Sequence, residues 1–266
     1  MHDSIQCAVP AGGARARLAA GAVRLPGRSP TVNGAPDGAR IGGIRACVFD
    51  AYGTLFDVSS AAVRHRGELG EKAPALAALW RDRQLQYTWL RTIQARHVDF
   101  SRITRDALAH ALQALGLDAR LEPLLMQSFD ALDAYPEVPD VLQRLRAAGY
   151  TTAILSNGTP DMLAALLDHA GLASLFDAVV SVENVGVYKP HPRVYQSMVS
   201  ELGLRADQIC FQSSNAWDAH AASAFGMRVV WCNRSGQPPE RLPGEPDACI
   251  GTLGELPDLL GVASAR

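Results

Sequence analysis

The sequence predicts an α/β protein: a Rossmann-like doubly wound parallel sheet with a block of helices inserted after the first strand. Three observations carry this. Short apolar runs that end in polar turn residues recur at 44–50, 151–155, 178–182, 208–212 and 227–232. Runs that are apolar throughout, rather than alternating, belong to strands buried on both faces. From residue 138 onward, helical segments separate the runs, and strand–helix alternation implies parallel strands covered by helices on both sides. The interval 57–135 breaks the alternation with helical pattern and no strand signal.

The elements follow in order. Residues 1–40 are rich in Gly, Ala, Pro and Arg, hold only Asp3 and Asp37 as acids, and lack periodicity. Such a segment cannot bury enough apolar surface to offset its ordering entropy, so a disordered extension is expected. It lacks the continuous apolar core of a secretion signal and has no twin arginines. The fold begins near Ile41 and its first strand runs into Asp50, followed by a Tyr52-Gly53-Thr54 turn. Residues 75–90 are almost all helix-tolerant. On that helix Leu76, Trp80, Arg83, Tyr87 and Leu90 form one stripe, while Arg81, Leu85 and Trp89 share a second face at i, i+4 spacing. Pattern alone reads Arg81 as an exposed, salt-bridging residue. Further helices are expected at 104–115, before Gly116, and at 120–132.

An amphipathic segment, 138–148, ends at Gly149, a C-terminal stop. The strand 151–155 leads into Ser156-Asn157-Gly158, and Thr159-Pro160-Asp161 then opens a helix with a capping hydroxyl, a first-turn proline and an early acid. A strand at 178–182, a helix from Pro192 to about 202 and a strand at 208–212 come next. Ser213-Ser214-Asn215 precedes a helix over 216–225, a strand over 227–232 and a short sixth strand over 248–250. The expected organisation is a core of 41–56 and 137–266, with 57–136 as a helical cap over the carboxyl ends of the strands.

Composition narrows the function classes. The 266 residues are 48% apolar and 20% charged with a net charge of −2, too little positive charge to suggest a nucleic-acid partner. No apolar run approaches the ~18 residues that would span a membrane. The five cysteines are scattered without a CxxC pair, and Cys47, Cys210 and Cys232 fall inside strand-like runs. Buried thiols of a cytoplasmic protein are expected rather than disulfides or zinc ligands.

Polar clusters follow four of the strands: Asp50 with Thr54, Ser156-Asn157, Lys189, and Ser213-Ser214-Asn215 with Asp218. A lone strand-end Asp would read as a loop cap. In a parallel sheet, however, all four clusters lie on one edge, where open α/β sheets bind ligands. An acid, a lysine, a second acid and several hydroxyl or amide donors there make a covalent-catalysis constellation.

In order and spacing these residues resemble the haloacid dehalogenase superfamily, and within it the 2-haloacid dehalogenases of the L-2-haloacid type. The resemblance covers about 44–255 and is carried by Phe49 through Asp57, Leu79-Trp80-Arg81, Gln84 through Leu90, Ile154 through Gly158, Tyr188 through Tyr195, and Ser213 through Asp218. Phosphatases of this superfamily place a second acid two residues after the nucleophile, to protonate an alkoxide; here that position is Tyr52, a far weaker acid. They also carry an acid four residues before the position of Asp218, to help hold Mg²⁺, and here it is Ser214. A departing halide needs no proton, and the remaining carboxylates are too few for the hard ligands Mg²⁺ prefers.

The resemblance implies an (S)-2-haloacid dehalogenase that needs no metal or cofactor, acts on a small 2-haloacid and forms a homodimer. The mixed apolar face around Trp80 and Tyr87 is compatible with such a dimer. By similarity, Asp50 attacks C2 and Lys189 holds it ionised. Arg81 and Asn157 receive the halide, and the Ser156 hydroxyl with nearby amides takes the substrate carboxylate. Asp218, with Asn215, positions the hydrolytic water; Thr54 and Ser213 anchor the carboxylates, and Tyr195 supports Lys189 or Asp218. Tyr52, Leu85, Phe100 and Trp217 form an apolar wall, core packing being the other reading of the last two. His191 reads as a helix-entry residue and Asp57 as a hinge or cap. His65, His97, His110, His169 and His220 lack metal-ligand spacing. A Mg²⁺-dependent phosphatase of the same superfamily is the alternative.

Overall fold

The computed structural model describes residues 40–262. The expected extension, 1–40, lies outside them except for Arg40, and so does Cys7. The first strand, β1 (Ala46–Phe49), is buried at every position. It is followed by α1 (Ser60–Val63), α2 (Arg66–Leu69), α3 (Ala73–Ile93), α4 (Phe100–Ala114) and α5 (Glu122–Phe129). Alternation then begins with α6 (Val138–Ala147), β2 (Thr151–Ser156), α7 (Pro160–Ala170), β3 (Ala178–Ser181) and α8 (Pro192–Leu202). It ends with β4 (Ile209–Ser213), α9 (Ala216–Phe225), β5 (Arg228–Cys232), β6 (Ala248–Ile250) and α10 (Leu256–Leu259).

The sheet has six strands in the order β3-β2-β1-β4-β5-β6, every pair parallel. This is the doubly wound order, in which the crossovers reverse direction beside β1 and open a crevice at the carboxyl ends of β1 and β4. Register aligns Phe49 with both Ile154 and Gln212, so Asp50 emerges between Ser156-Asn157 and Ser213-Ser214. Cys47, Cys210 and Cys232 are free and buried, as their strand-like runs imply. Among the described residues no helix is long and apolar enough to cross a membrane.

Between β1 and α6 the described elements are helices, apart from two isolated bridges at the root, Tyr52 with Phe56 and Phe56 with Ala134. There Phe56 pairs antiparallel with Ala134. The Asp57 N–H donates to the Asp133 carbonyl (2.8 Å) and Tyr135 N–H to the Leu55 carbonyl (2.9 Å), so the chain leaves and re-enters the sheet region side by side. The Asp57 carboxylate accepts from the N–H and hydroxyl of Ser59, just ahead of α1. His191 caps α8, its Nδ1 accepting the Arg193 N–H.

The helical block departs from the sequence pattern in three places. First, α3 buries Leu76, Trp80, Gln84 and Thr88, whereas Arg83 is only partly covered and Leu90 is 51% exposed. Gln84 donates to the Thr104 hydroxyl at 2.7 Å and Thr88 to the Leu85 carbonyl at 2.6 Å, so both bury without an unmet polar group. Hydrophobicity counting cannot see that compensation. Second, α4 starts at Phe100 rather than 104, because Asp99 caps it by accepting the Arg102 N–H. Third, Trp80 is not part of an exposed face: it is 4% exposed, donates from its indole nitrogen to the Thr104 carbonyl and packs on Phe129.

Candidate active site

β1 delivers Asp50 to the crevice, and the Asp50 N–H donates to the Gln212 carbonyl at 2.9 Å, extending the β1–β4 ladder by one residue. The turn behind it depends on Gly53, whose φ of +88° few other residues tolerate. That turn brings the Thr54 hydroxyl back to donate to Asp50 Oδ2 at 3.2 Å, while the same oxygen atom of Thr54 accepts the Ser214 N–H at 2.8 Å. Asn215 donates from Nδ2 to Asp50 Oδ2 (2.8 Å) and to the Tyr52 carbonyl (3.2 Å). Lys189 Nζ reaches the other carboxylate oxygen, Oδ1, at 3.1 Å.

Lys189 also donates to Asp218 Oδ2 at 2.8 Å, and Tyr195 donates its hydroxyl proton to Asp218 Oδ1 at 2.7 Å. Asp218 is 0% exposed, Lys189 1% and Asp50 5%, so two carboxylates and one ammonium share a site almost without water. Burial by itself disfavours the ammonium. The attraction of Asp218 and then Asp50, with their hydrogen bonds, outweighs it and holds Lys189 above the ordinary lysine value. Burial pushes the Asp218 carboxyl up, with Lys189 opposing and the charge of Asp50 adding to the rise. Burial and the adjoining Asp218 carboxylate hold the Tyr195 phenol protonated far beyond its usual range.

Helix α3 contributes Arg81 from the opposite side. Its guanidinium donates to Asn215 Oδ1 (3.2 Å), to the Tyr52 carbonyl (3.4 Å) and to Gln84 Oε1 (2.8 Å). The expected exposed surface arginine is therefore a site residue. One turn further on, Leu85 is half-buried, and Trp89 meets Trp217 edge-on with ring centres 5.4 Å apart. Tyr52 is 2% exposed and lies against Phe100 (5.5 Å) and Phe129 (5.3 Å). Asn157 accepts the backbone N–H of Lys189 through Oδ1, which leaves the donor end of its amide for a ligand.

A family model for haloacid dehalogenase-like hydrolases matches residues 44–226. The (S)-2-haloacid dehalogenase 1 of Pseudomonas sp. (strain CBS-3) is 45% identical over 219 residues, 82% of this chain and 96% of that protein. The chain belongs to the haloacid dehalogenase-like hydrolase family. The crystal structure of a dehalogenase superposes with a TM-score of 0.82 at 43% identity, covering 84% of this chain and 100% of that one. The L-2-haloacid dehalogenase from Xanthobacter autotrophicus, with chloropropionic acid covalently bound, gives 0.77 at 36% identity, covering 83% and 100%.

Within this hydrolase, the structure sorts the sequence-derived residues. Asp50, Thr54, Lys189, Tyr195, Asn215 and Asp218 form one connected network, and Arg81 joins it through Asn215. From the N-cap of α9, the Asn215 amide reaches back to Asp50. One pairing differs from expectation. Ser213 binds neither carboxylate; its hydroxyl accepts the Asn215 N–H at 3.1 Å and so orders the residue that does. Ser156 is fully buried and its hydroxyl accepts the Gly158 N–H at 3.1 Å. Among the described residues no group of three or more His, Cys, Asp or Glu is arranged to hold a metal ion.

Sequence reasoning missed Gln84 and Thr104, which lock Arg81 in place through a buried chain of hydrogen bonds. The signal was a polar residue one helical turn after Trp80 on the buried stripe. It also missed Glu183, which accepts the Phe100 N–H and pairs with His97, pinning the start of α4 beside the site.

Gly158 offers a direct probe of the aromatic wall. A Cβ there would lie 2.9 Å from both the Tyr52 hydroxyl and its ring carbon Cε2. Tyr52 cannot give way, being stacked on Phe129 and tilted against Phe100. Gly158→Ala is expected to cost about 1–3 kcal/mol by overpacking and to raise KM more than it lowers kcat. Urea unfolding and initial-rate kinetics check both parts.

Proposed function

We propose that the protein hydrolyses the carbon–halogen bond of short-chain 2-haloalkanoic acids, giving 2-hydroxyalkanoic acids through an ester at Asp50, without a metal. One observation carries the reading: Asp50 is held by two neutral donors and a shared ammonium, while the two positions where phosphatases need acids hold Tyr52 and Ser214. The site has a nucleophile and cations of its own, but no acid for an alkoxide leaving group and few oxygen ligands for Mg²⁺.

In the first half-reaction a carboxylate oxygen of Asp50 forms a bond to C2 as the carbon–halogen bond breaks, the halide leaving with the bonding pair. Lys189, Thr54 and Asn215 orient the carboxylate for in-line attack. Arg81, steadied by Gln84, and the amide of Asn157 receive the halide; Ser156 and neighbouring backbone amides take the substrate carboxylate. In the second half, water attacks the Asp50 acyl carbon and its proton passes to Asp218, whose raised affinity for protons suits it as the base. The acyl–oxygen bond breaks as the departing oxygen takes that proton back from Asp218, and the second water proton passes to solvent, releasing the 2-hydroxy acid with C2 inverted and leaving a solvent oxygen in the Asp50 carboxylate. Tyr195 and Lys189 hold Asp218, and Ser213 holds Asn215. Tyr52, Leu85, Phe100 and Trp217 keep bulk water from the ester.

The same reading divides the chain into a core of 41–56 and 137–266 and a cap of 57–136, and takes the protein as a homodimer of the reducing cytoplasm. The paired crossing at Phe56 and Ala134 supports the division, and three buried free thiols suit the compartment; the homodimer rests on the family resemblance alone. The deciding experiment is chloride release from (S)-2-chloropropionate in the presence of EDTA, with product chirality recorded. Release of (R)-lactate is the expected result. No halide from any chloro-, bromo- or fluoroacetate or either chloropropionate enantiomer, or an absolute need for Mg²⁺, overturns the proposal.

A further inference from the structure

Thr54 is gripped from two sides, and only one of them belongs to the catalytic network. Its hydroxyl serves Asp50 and Ser214. Its backbone carbonyl, on the other side, accepts from Arg234 Nη2 at 2.8 Å. Arg234 follows β5, far along the chain from any motif the sequence singled out, and its side chain is 15% exposed. The guanidinium lies 3.6 Å over the Tyr135 ring and pairs with Glu137 Oε1 at 2.7 Å, and that oxygen also accepts the Thr252 hydroxyl at 2.8 Å. Tyr135 in turn donates its N–H to the Leu55 carbonyl, the residue next to Thr54.

We propose that Arg234 is a positioning residue for the nucleophile: it clamps the Thr54 turn against the returning segment at Tyr135–Glu137 and so fixes the Asp50 carboxylate without touching substrate. Three features of the cation suit it to this. A charged donor makes a stronger bond to a carbonyl than a neutral one. A planar guanidinium can stack on an aromatic ring and still present donors at both edges, which an ammonium cannot. The anchors on its two sides come from segments flanking the helical block, so the clamp holds the turn at the point where that block joins the sheet. The kinetic consequence rests on the dehalogenase reading above; the clamp itself does not.

The test combines turnover with a readout that needs none. Arg234→Gln is expected to lower kcat roughly tenfold to a hundredfold with KM changed less than about threefold, measured well below the thermal midpoint of each variant. Arg234→Lys, which keeps the charge but not the stacking, should recover part of that loss, and serves alone if the glutamine variant does not fold. Because the clamp acts through Thr54, adding Arg234→Gln to Thr54→Ala should lower kcat little further than Thr54→Ala alone. Independently, hydrogen exchange at the Ser214 amide, whose acceptor is the Thr54 hydroxyl, should quicken in Arg234→Gln. An unchanged Ser214 exchange rate overturns the clamp whether or not halide is released. So does a kcat within twofold of wild type, or full additivity with Thr54→Ala. Absence of halide release by the wild type, with the exchange effect present, overturns the dehalogenase reading and leaves the clamp standing.

Discussion

Asp50→Asn is expected to abolish halide release, by about 10⁴-fold or more, while leaving the protein folded and at least as stable. The amide nitrogen or oxygen is no substitute for a carboxylate attacking saturated carbon, and the buried network around it offers no second nucleophile placed to replace it. Stability should hold because the site carries two carboxylates against one ammonium. Removing one negative charge leaves Lys189 and Asp218 as a balanced pair with their 2.8 Å contact intact. Loss of activity with an unchanged or raised thermal midpoint therefore separates chemistry from folding. In the wild type, solvent ¹⁸O should accumulate in the Asp50 side chain over many turnovers. A variant that keeps a hundredth of the wild-type rate, or a carboxylate that never acquires label, removes Asp50 from the mechanism.

Lys189→Met should damage both function and fold. It leaves Asp50 and Asp218 facing one another with no cation in direct contact, Arg81 reaching them only through Asn215, in a site where Asp218 is wholly buried. Breaking a buried pair in this way costs about 3–5 kcal/mol, and kcat should fall by about 10³-fold as Asp50 loses the ammonium that aligns it. The loss should depend on pH, with a definite sign. Asp218 binds its proton more tightly folded than at its ordinary value of 3.8, so its contribution falls as pH rises from there toward its raised value. Without Lys189 that value moves higher still, so the variant should approach wild-type stability near pH 4 and fall progressively behind toward neutrality. In the wild type the other limb belongs to Lys189: its stabilisation is complete below 10.5 and is lost as pH climbs through its raised value. Urea midpoints across the pH range test both limbs; a gap between variant and wild type that does not widen from pH 4 to 7 counts against the shared-cation account.

What the sequence by itself determined is the sheet and the membership of its reactive edge. Short apolar runs bounded by turn residues read as strands buried on both faces, alternation with helices implies that they are parallel, and parallel strands put all their carboxyl ends on one side. Asp50, Asn157, Lys189 and Asp218 therefore had to meet, however far apart in the chain. Tertiary structure alone decided who bonds to whom. Hydrophobic pattern does not set the rotation of α3 about its axis closely enough to tell Arg83 from Gln84, and a buried glutamine satisfied by Thr104 reads in sequence like a solvated one. The bond of Asn215 to Asp50 depends on where the N-cap of α9 leaves the end of β4. The grip of Arg234 on Thr54 depends on three segments meeting in space. Hydrogen bonds discriminate over tenths of an ångström, and only the packed chain defines positions that finely.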